Sequence, residues 1–193
     1  MHPRVIALSR SGHWAVINWY DAHIDRPVRN GENVELFPEP TSMPSVLNLR
    51  DAYNWAGSYL ASRILDQRHP DLNPFPSMLA LWKRYARAAL SPERMSTLGL
   101  VFNDFSLWAR SCEYRNGVAG SLGFVNKDWT VDKLAQSGSS WQKGVTSSRE
   151  LELDKRWEQA LNHKDSRLSE RMEEVIGDKE IAELNLELFA WAP

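Results

Sequence analysis

Apolar positions along the chain follow two different periods, and the change from one to the other divides it. Val5 to Leu8 is a short unbroken apolar run, and a second run from His13 to Tyr20 follows the turn residues Arg10-Ser11-Gly12. If extended, the second run places Trp14, Val16, Asn18 and Tyr20 on one face and Ala15, Ile17 and Trp19 on the other. Two such runs around a turn predict an N-terminal hairpin, with a helix from Trp14 to Ile24 as the alternative. Asn30-Gly31 signals a further turn, and Val34 to Phe37 predicts a third short strand before Pro38, Pro40 and Pro44.

Helical spacing takes over from Ser45. Leu49, Ala52, Tyr53, Ala56, Tyr59, Leu60 and Ile64 recur on one wide face, predicting a helix from Ser45 to Asp66, with Trp55 on its polar side beside Asp51, Ser58 and Ser62. The proline-rich connector His69 to Pro76 leads to a second helix ending at Leu90. That helix is apolar through Met78, Leu81, Trp82 and Tyr85 and basic through Lys83, Arg84 and Arg87. Ser91-Pro92-Glu93 is a helix start, and the pattern predicts a third, central helix to about Ser111. Asn116-Gly117 begins a small, irregular stretch, and Asp128 caps a short helix through Ala135. Residues 136–148 are rich in Ser and Gly and read as a linker that carries Trp141. Two short amphipathic helices follow, Glu150 to Asn162 and Ser166 to Ile176, before a last run that fits either strand or helix.

Composition adds one anomaly. Nine tryptophans in 193 residues exceed the about two or three of average usage, so packing or a sticky surface has been selected for. Tryptophan serves cores and binding surfaces alike. No apolar run approaches the ~18 residues of a membrane span, and no secretory h-region follows the N-terminus, which predicts a cytoplasmic protein without membrane contact. The single cysteine, Cys112, shares a register with Leu98 and Phe105 and is expected to pack as a small apolar residue. Charge is uneven: residues 50–115 hold nine Lys/Arg against six Asp/Glu, and residues 147–193 hold seven against twelve. A basic middle and an acidic tail can meet each other or meet different partners.

Local chemistry is sparse. Asp21, His23 and Asp25 would share a face if extended, the spacing by which carboxylates orient an imidazole for base catalysis or metal binding. The stretch Gly138 to Gly144 fails the spacing of a phosphate loop, because Lys143 precedes the second glycine. No catalytic, cofactor or metal signature stands out, so no cofactor, metal or catalytic residue is assigned.

The expectation is an α+β fold, mainly α: a helical core of about five to six helices with a small N-terminal β-hairpin or sheet. One main domain spans residues 1–135, a flexible linker residues 136–148, and a C-terminal helical segment residues 149–193, packed on the domain or forming a partner-binding arm. The functional expectation is a non-enzymatic binding protein, an assembly subunit or inhibitor of a larger protein or nucleoprotein complex, of the sort phages and other mobile elements encode. Its expected partner-binding residues are Trp55, Trp141, Lys83, Arg84 and Arg87. The alternatives are a nucleic-acid binder using the basic helix face, and an enzyme with a scattered site near His23.

Overall fold

The computed structural model describes residues 2–24, 27–36, 44–65, 71–127, 154–191 and 193. Within them the chain is a mainly helical α+β protein with a small sheet. Its strands are β1 (Arg4–Ala7), β2 (Arg29–Glu32), β3 (Ser45–Leu49) and β4 (Leu100–Asp104). The helices are α1 (His13–Asp21), α2 (Ala52–Leu65), α3 (Phe75–Ala89), α4 (Pro92–Thr97), α5 (Phe105–Arg110), α6 (Cys112–Leu122), α7 (Arg156–Leu161), α8 (Ser166–Gly177) and α9 (Lys179–Phe189). All strand pairs are parallel, in the order β2-β1-β3-β4. The expected hairpin is therefore a strand, a turn and a helix: β1 pairs with β2 and β3, and residues 13–21 are helical.

Short parallel strands are held by what covers their faces, since a ladder bond contributes only about 0.5–1.5 kcal/mol net while one fully buried aliphatic side chain contributes about 1.5–3 kcal/mol. Alternation along the strands feeds two cores. Ile6, Leu8, Leu47, Leu49 and Leu100 enter a core with α2, α3 and residues from α7, α8 and α9. Val5 and Val46 enter the opposite core with Trp19 of α1 and Trp108 of α5. Burial on both faces explains why 45–49 and 100–104 carry no strand alternation and merge with the helical patterns that follow them. The predicted helices Ser45–Asp66 and Ser91–Ser111 are each interrupted in this way. The second becomes α4, β4 and α5, after Gly99 turns the chain with φ +62.

Other expectations are revised by packing. Regular structure in α6 continues past Asn116-Gly117 to a left-handed C-cap at Gly123. Cys112 is exposed in the first turn of α6, because Ser111 ends α5 and starts a new helix with a different register. Asp178 both ends α8 and caps α9, its Oδ1 accepting from the Ile181 amide, which fixes the last run as a helix. The helix predicted at 128–135 and the linker at 136–148 lie outside the described residues. Among the described residues no helix is long and apolar enough to cross a membrane.

The tightest helix contact is α2 against α7. A Cβ on Gly57 would lie 2.5 Å from the Arg156 carbonyl oxygen. Gly57→Ala should therefore push α7 off α2 and cost about 1–3 kcal/mol, the usual range for overpacking, read as a lower denaturation midpoint in urea. A variant as stable as the wild type would show that this contact yields freely.

Candidate functional site

In an open parallel sheet a crevice forms outside the carboxyl ends of the strands, where successive connections leave in opposite directions. Here β1 runs to its neighbour β2 through α1 on one face, whereas β3 runs to β4 through α2, α3 and α4 on the other. The switch point lies between β1 and β3, whose residues Ala7 and Asn48 are register partners.

The turn leaving β1 has an unusual backbone. Arg10 and Gly12 are left-handed, with φ of 70 and 79. At an arginine that conformation is uncommon and worth a functional reading. A Cβ on Gly12 would lie 2.2 Å from Phe105 Cζ, so only glycine fits there. The carbonyl groups of the turn face the protein. Leu8 O accepts from the Ser11 amide (3.1 Å) and the Ser11 hydroxyl (2.7 Å), and Ser9 O accepts from Trp55 Nε1 (2.9 Å). Ser11 O accepts from Asn48 Nδ2 (3.1 Å), and Gly12 O from the Ala15 amide (3.1 Å). No side chain caps α1. A helix start with its carbonyls turned away and no capping side chain presents amide hydrogens and the positive end of the helix dipole to an anion. Arg10 is exposed on this turn, and Trp14, in the first turn of α1, is 47% exposed. His13 lies 3.0 Å from Glu32, and burial holds its pKa below the usual histidine value in spite of that carboxylate.

Beside this turn, the end of β3 passes into α2 through Arg50 and Asp51. Arg50 Nη1 donates to Ser58 Oγ at 3.0 Å, in the middle of α2, and burial lowers its pKa to about 10. Asp51 Oδ1 accepts from the Asn54 amide (2.9 Å) and from Asn54 Nδ2 (3.1 Å). Burial raises the Asp51 pKa to about 6, against the opposing pull of Arg50 and Asn54. Asp104, at the end of β4, accepts from the amides of Ser106 and Leu107 and so caps α5; burial raises its pKa too. Asp51 (3% exposed) and Asp104 (5% exposed) form the inner wall of a cleft of about 510 Å³. Its outer walls are Trp157 of α7 with Phe189 and Trp191 from the end of α9, and Arg110 and Asp154 pair at its rim.

The residues singled out from the sequence are placed elsewhere. Trp55 is fully buried, not projecting from a polar face: the loop after β1 and helix α7 cover that side of α2, and its indole is tied to Ser9. Lys83 pairs with Asp178 (2.6 Å) and Glu180 (3.1 Å), Arg84 with Glu35 (2.7 Å), and Arg87 with Glu180. The basic middle thus meets the acidic C-terminal segment within the protein. Trp141 and Asp25 lie outside the described residues. His23 sits at the far end of α1 from the turn described above. Its Nδ1 is 2.6 Å from Trp19 O, its Nε2 accepts from the Lys127 amide (2.7 Å), and its ring stacks on Phe124. Asp21 Oδ1 accepts from the Val28 amide, and both ring nitrogens of His23 meet backbone groups of other residues.

The helix held as the alternative for Trp14 to Ile24 is the one that forms, as α1. The sequence also carried signals for what was passed over. Arg50-Asp51 and Asn103-Asp104 each end a short apolar run, where a buried parallel strand would deliver polar residues to the sheet's functional edge. Comparison with protein-family models, curated proteins and solved structures gives no match.

Asp51 supplies a pH signature. Its folded-state pKa lies above the ordinary carboxylate value, so between about pH 4 and 6 the folded protein retains a proton that the unfolded chain releases, and stability from this group is lost as pH rises. Asp51→Asn keeps an acceptor for the Asn54 amide and removes the titration. Its stability relative to wild type should therefore increase from pH 4 to 6.5 in paired denaturation curves. A constant difference across that range would show that Asp51 titrates like a surface carboxylate.

Proposed function

We propose that the protein is a nucleotide-binding group-transfer enzyme whose site lies at the carboxyl end of the parallel sheet. The observation that carries this reading is the start of α1, where the carbonyl groups of the turn face inward and no side chain caps the helix. It lies beside the switch point between β1 and β3, the position at which open parallel sheets receive ligands. Phosphate oxygens accept from the amides of the first turn, with the exposed Arg10 adding charge. The ring of Trp14 offers a stacking surface for a base. The cleft beside Asp51 and Asp104 leaves room for a second substrate, and the two carboxylates there suit proton transfer, Asp51 because its pKa is near 6.

The non-enzymatic reading, a subunit or inhibitor of a protein or nucleoprotein complex, has less support. Lys83, Arg84 and Arg87 are engaged with carboxylates of the same chain, and Trp55 is internal.

Isothermal titration of the full chain with inorganic phosphate and with nucleoside mono-, di-, tri- and bisphosphates tests the proposal. At least one nucleotide should bind more tightly than phosphate. Trp14→Ala, at a solvent-facing position, should weaken that nucleotide about 5- to 150-fold, the equivalent of the about 1–3 kcal/mol of one stacked base, and leave inorganic phosphate unaffected. Absence of nucleotide binding at low salt would overturn the proposal.

A further inference from the structure

The cleft at the ends of β3 and β4 has a chemistry of its own. Trp157 and Trp191 meet at 40° with ring centroids 6.4 Å apart, and Tyr53 backs Trp191 at 5.4 Å and 52°. Tilted rings form a corner that exposes aromatic faces, where a stacked pair would hide them. Phe189 adds a third aromatic wall. Carboxylates share the lining with these rings: Asp51 and Asp104 are buried, and Asp154 and Glu158 are exposed. Arg110 is the cation among the lining residues, and it is committed to Asp154. Arg50 acts on Asp51 and Arg156 on Arg50, and both arginines are buried. One lining residue carries a polar atom with no hydrogen-bond partner. Ser106 Oγ is shielded from solvent and without a hydrogen-bond partner, although its backbone amide is bound to Asp104. A buried hydroxyl left unpaired costs about 1–3 kcal/mol, which a ligand N–H would relieve.

We propose that this cleft binds an organic ammonium ion: an amine whose charged head lies between the Asp51 and Asp104 carboxylates and whose apolar body rests on Trp157 and Trp191. Each feature selects for that class. The carboxylates repel anions. The aromatic faces attract a cation through their ring quadrupoles and accept an alkyl chain without needing hydrogen bonds from it. Ser106 Oγ accepts one ammonium hydrogen, leaving the others to the two carboxylates. The inference deepens the proposed function by naming the class of the second substrate, and its test does not depend on nucleotide binding, because none of these groups belongs to the turn after β1.

The test is equilibrium titration of the full chain, without nucleotide, at pH 7.5 and fixed low ionic strength. The probes are n-butylammonium, tetramethylammonium, n-butanol and butanoate. n-Butylammonium should bind at least tenfold more tightly than n-butanol, butanoate should not bind, and potassium ions at equal ionic strength should not displace the amine. Asp104→Asn, which keeps an acceptor for the α5 amides, should reduce n-butylammonium affinity at least tenfold and leave n-butanol unchanged. Should that variant fail to fold, the rim variant Asp154→Asn/Glu158→Gln should reduce the amine's affinity by a smaller factor, again sparing the alcohol. Equal affinity for alcohol and amine, displacement by potassium, or no measurable amine binding would each overturn the proposal.

Discussion

The structure depends on the junction between β3 and α2, where a run of nine residues, from Arg50 to Ser58, is bound from every side. Arg50 O accepts from Trp82 Nε1 of α3 at 3.0 Å. The Ala52 amide donates to Asn185 Oδ1 of α9 at 2.7 Å, and Asn54 Oδ1 accepts from the Arg156 amide of α7 at 2.8 Å. Trp55 Nε1 donates to the turn after β1. Four separate parts of the chain are therefore positioned by polar contacts to one buried helix start. A buried polar group left unpaired is costly, so these contacts fix geometry more sharply than apolar packing does. Gly57 completes the junction by letting α7 lie against the backbone of α2.

This junction also ties down the carboxyl end of β3. A buried Arg50-Asp51 pair is a poor way to stabilise a core, because desolvation of both charges offsets much of their attraction. It is well suited to holding charged groups in fixed positions at the end of a strand. Ser58 and Asn54 supply the hydrogen bonds that make the arrangement tolerable. The turn after β1 is braced likewise, through Asn48 and, behind it, Asn103, whose Nδ2 donates to Asn48 Oδ1 at 2.7 Å. A loop so tightly held from behind offers its front to a ligand with little further ordering, and preorganisation of this kind lowers the entropic cost of binding.

The sequence made the outer helices legible and hid the central elements. The helix α3 was readable because one face is apolar and the other charged, and α8 was readable for the same reason; the run that forms α9 fitted strand and helix alike until Asp178 capped it as a helix. β3 and β4 were not, because strands buried on both faces lose the period of two and their apolar residues run on into the next helix. Trp55 was misplaced because an amphipathic pattern assigns a polar face to solvent, whereas α2 turns its polar face toward α7 and the turn after β1. Arg10-Ser11-Gly12 was legible as a turn but did not decide between a second strand and the alternative helix from Trp14 to Ile24, since the same residues suit both. Asp51 and Asp104 carry no motif. Their importance comes from parallel pairing of segments 55 residues apart along the chain, as the register partners Leu49 and Asp104 illustrate by ending their strands side by side.

The most direct measurement of the central claim is amide chemical-shift mapping of the isotopically labelled full chain during titration with nucleoside di- and triphosphates. Saturable shifts at Gly12, His13 and Trp14, accompanied by the indole signal of Trp55, are the expected result. Shifts confined to the surface around Lys83, Arg84 and Arg87, or scattered without saturation, would contradict a ligand site at the start of α1.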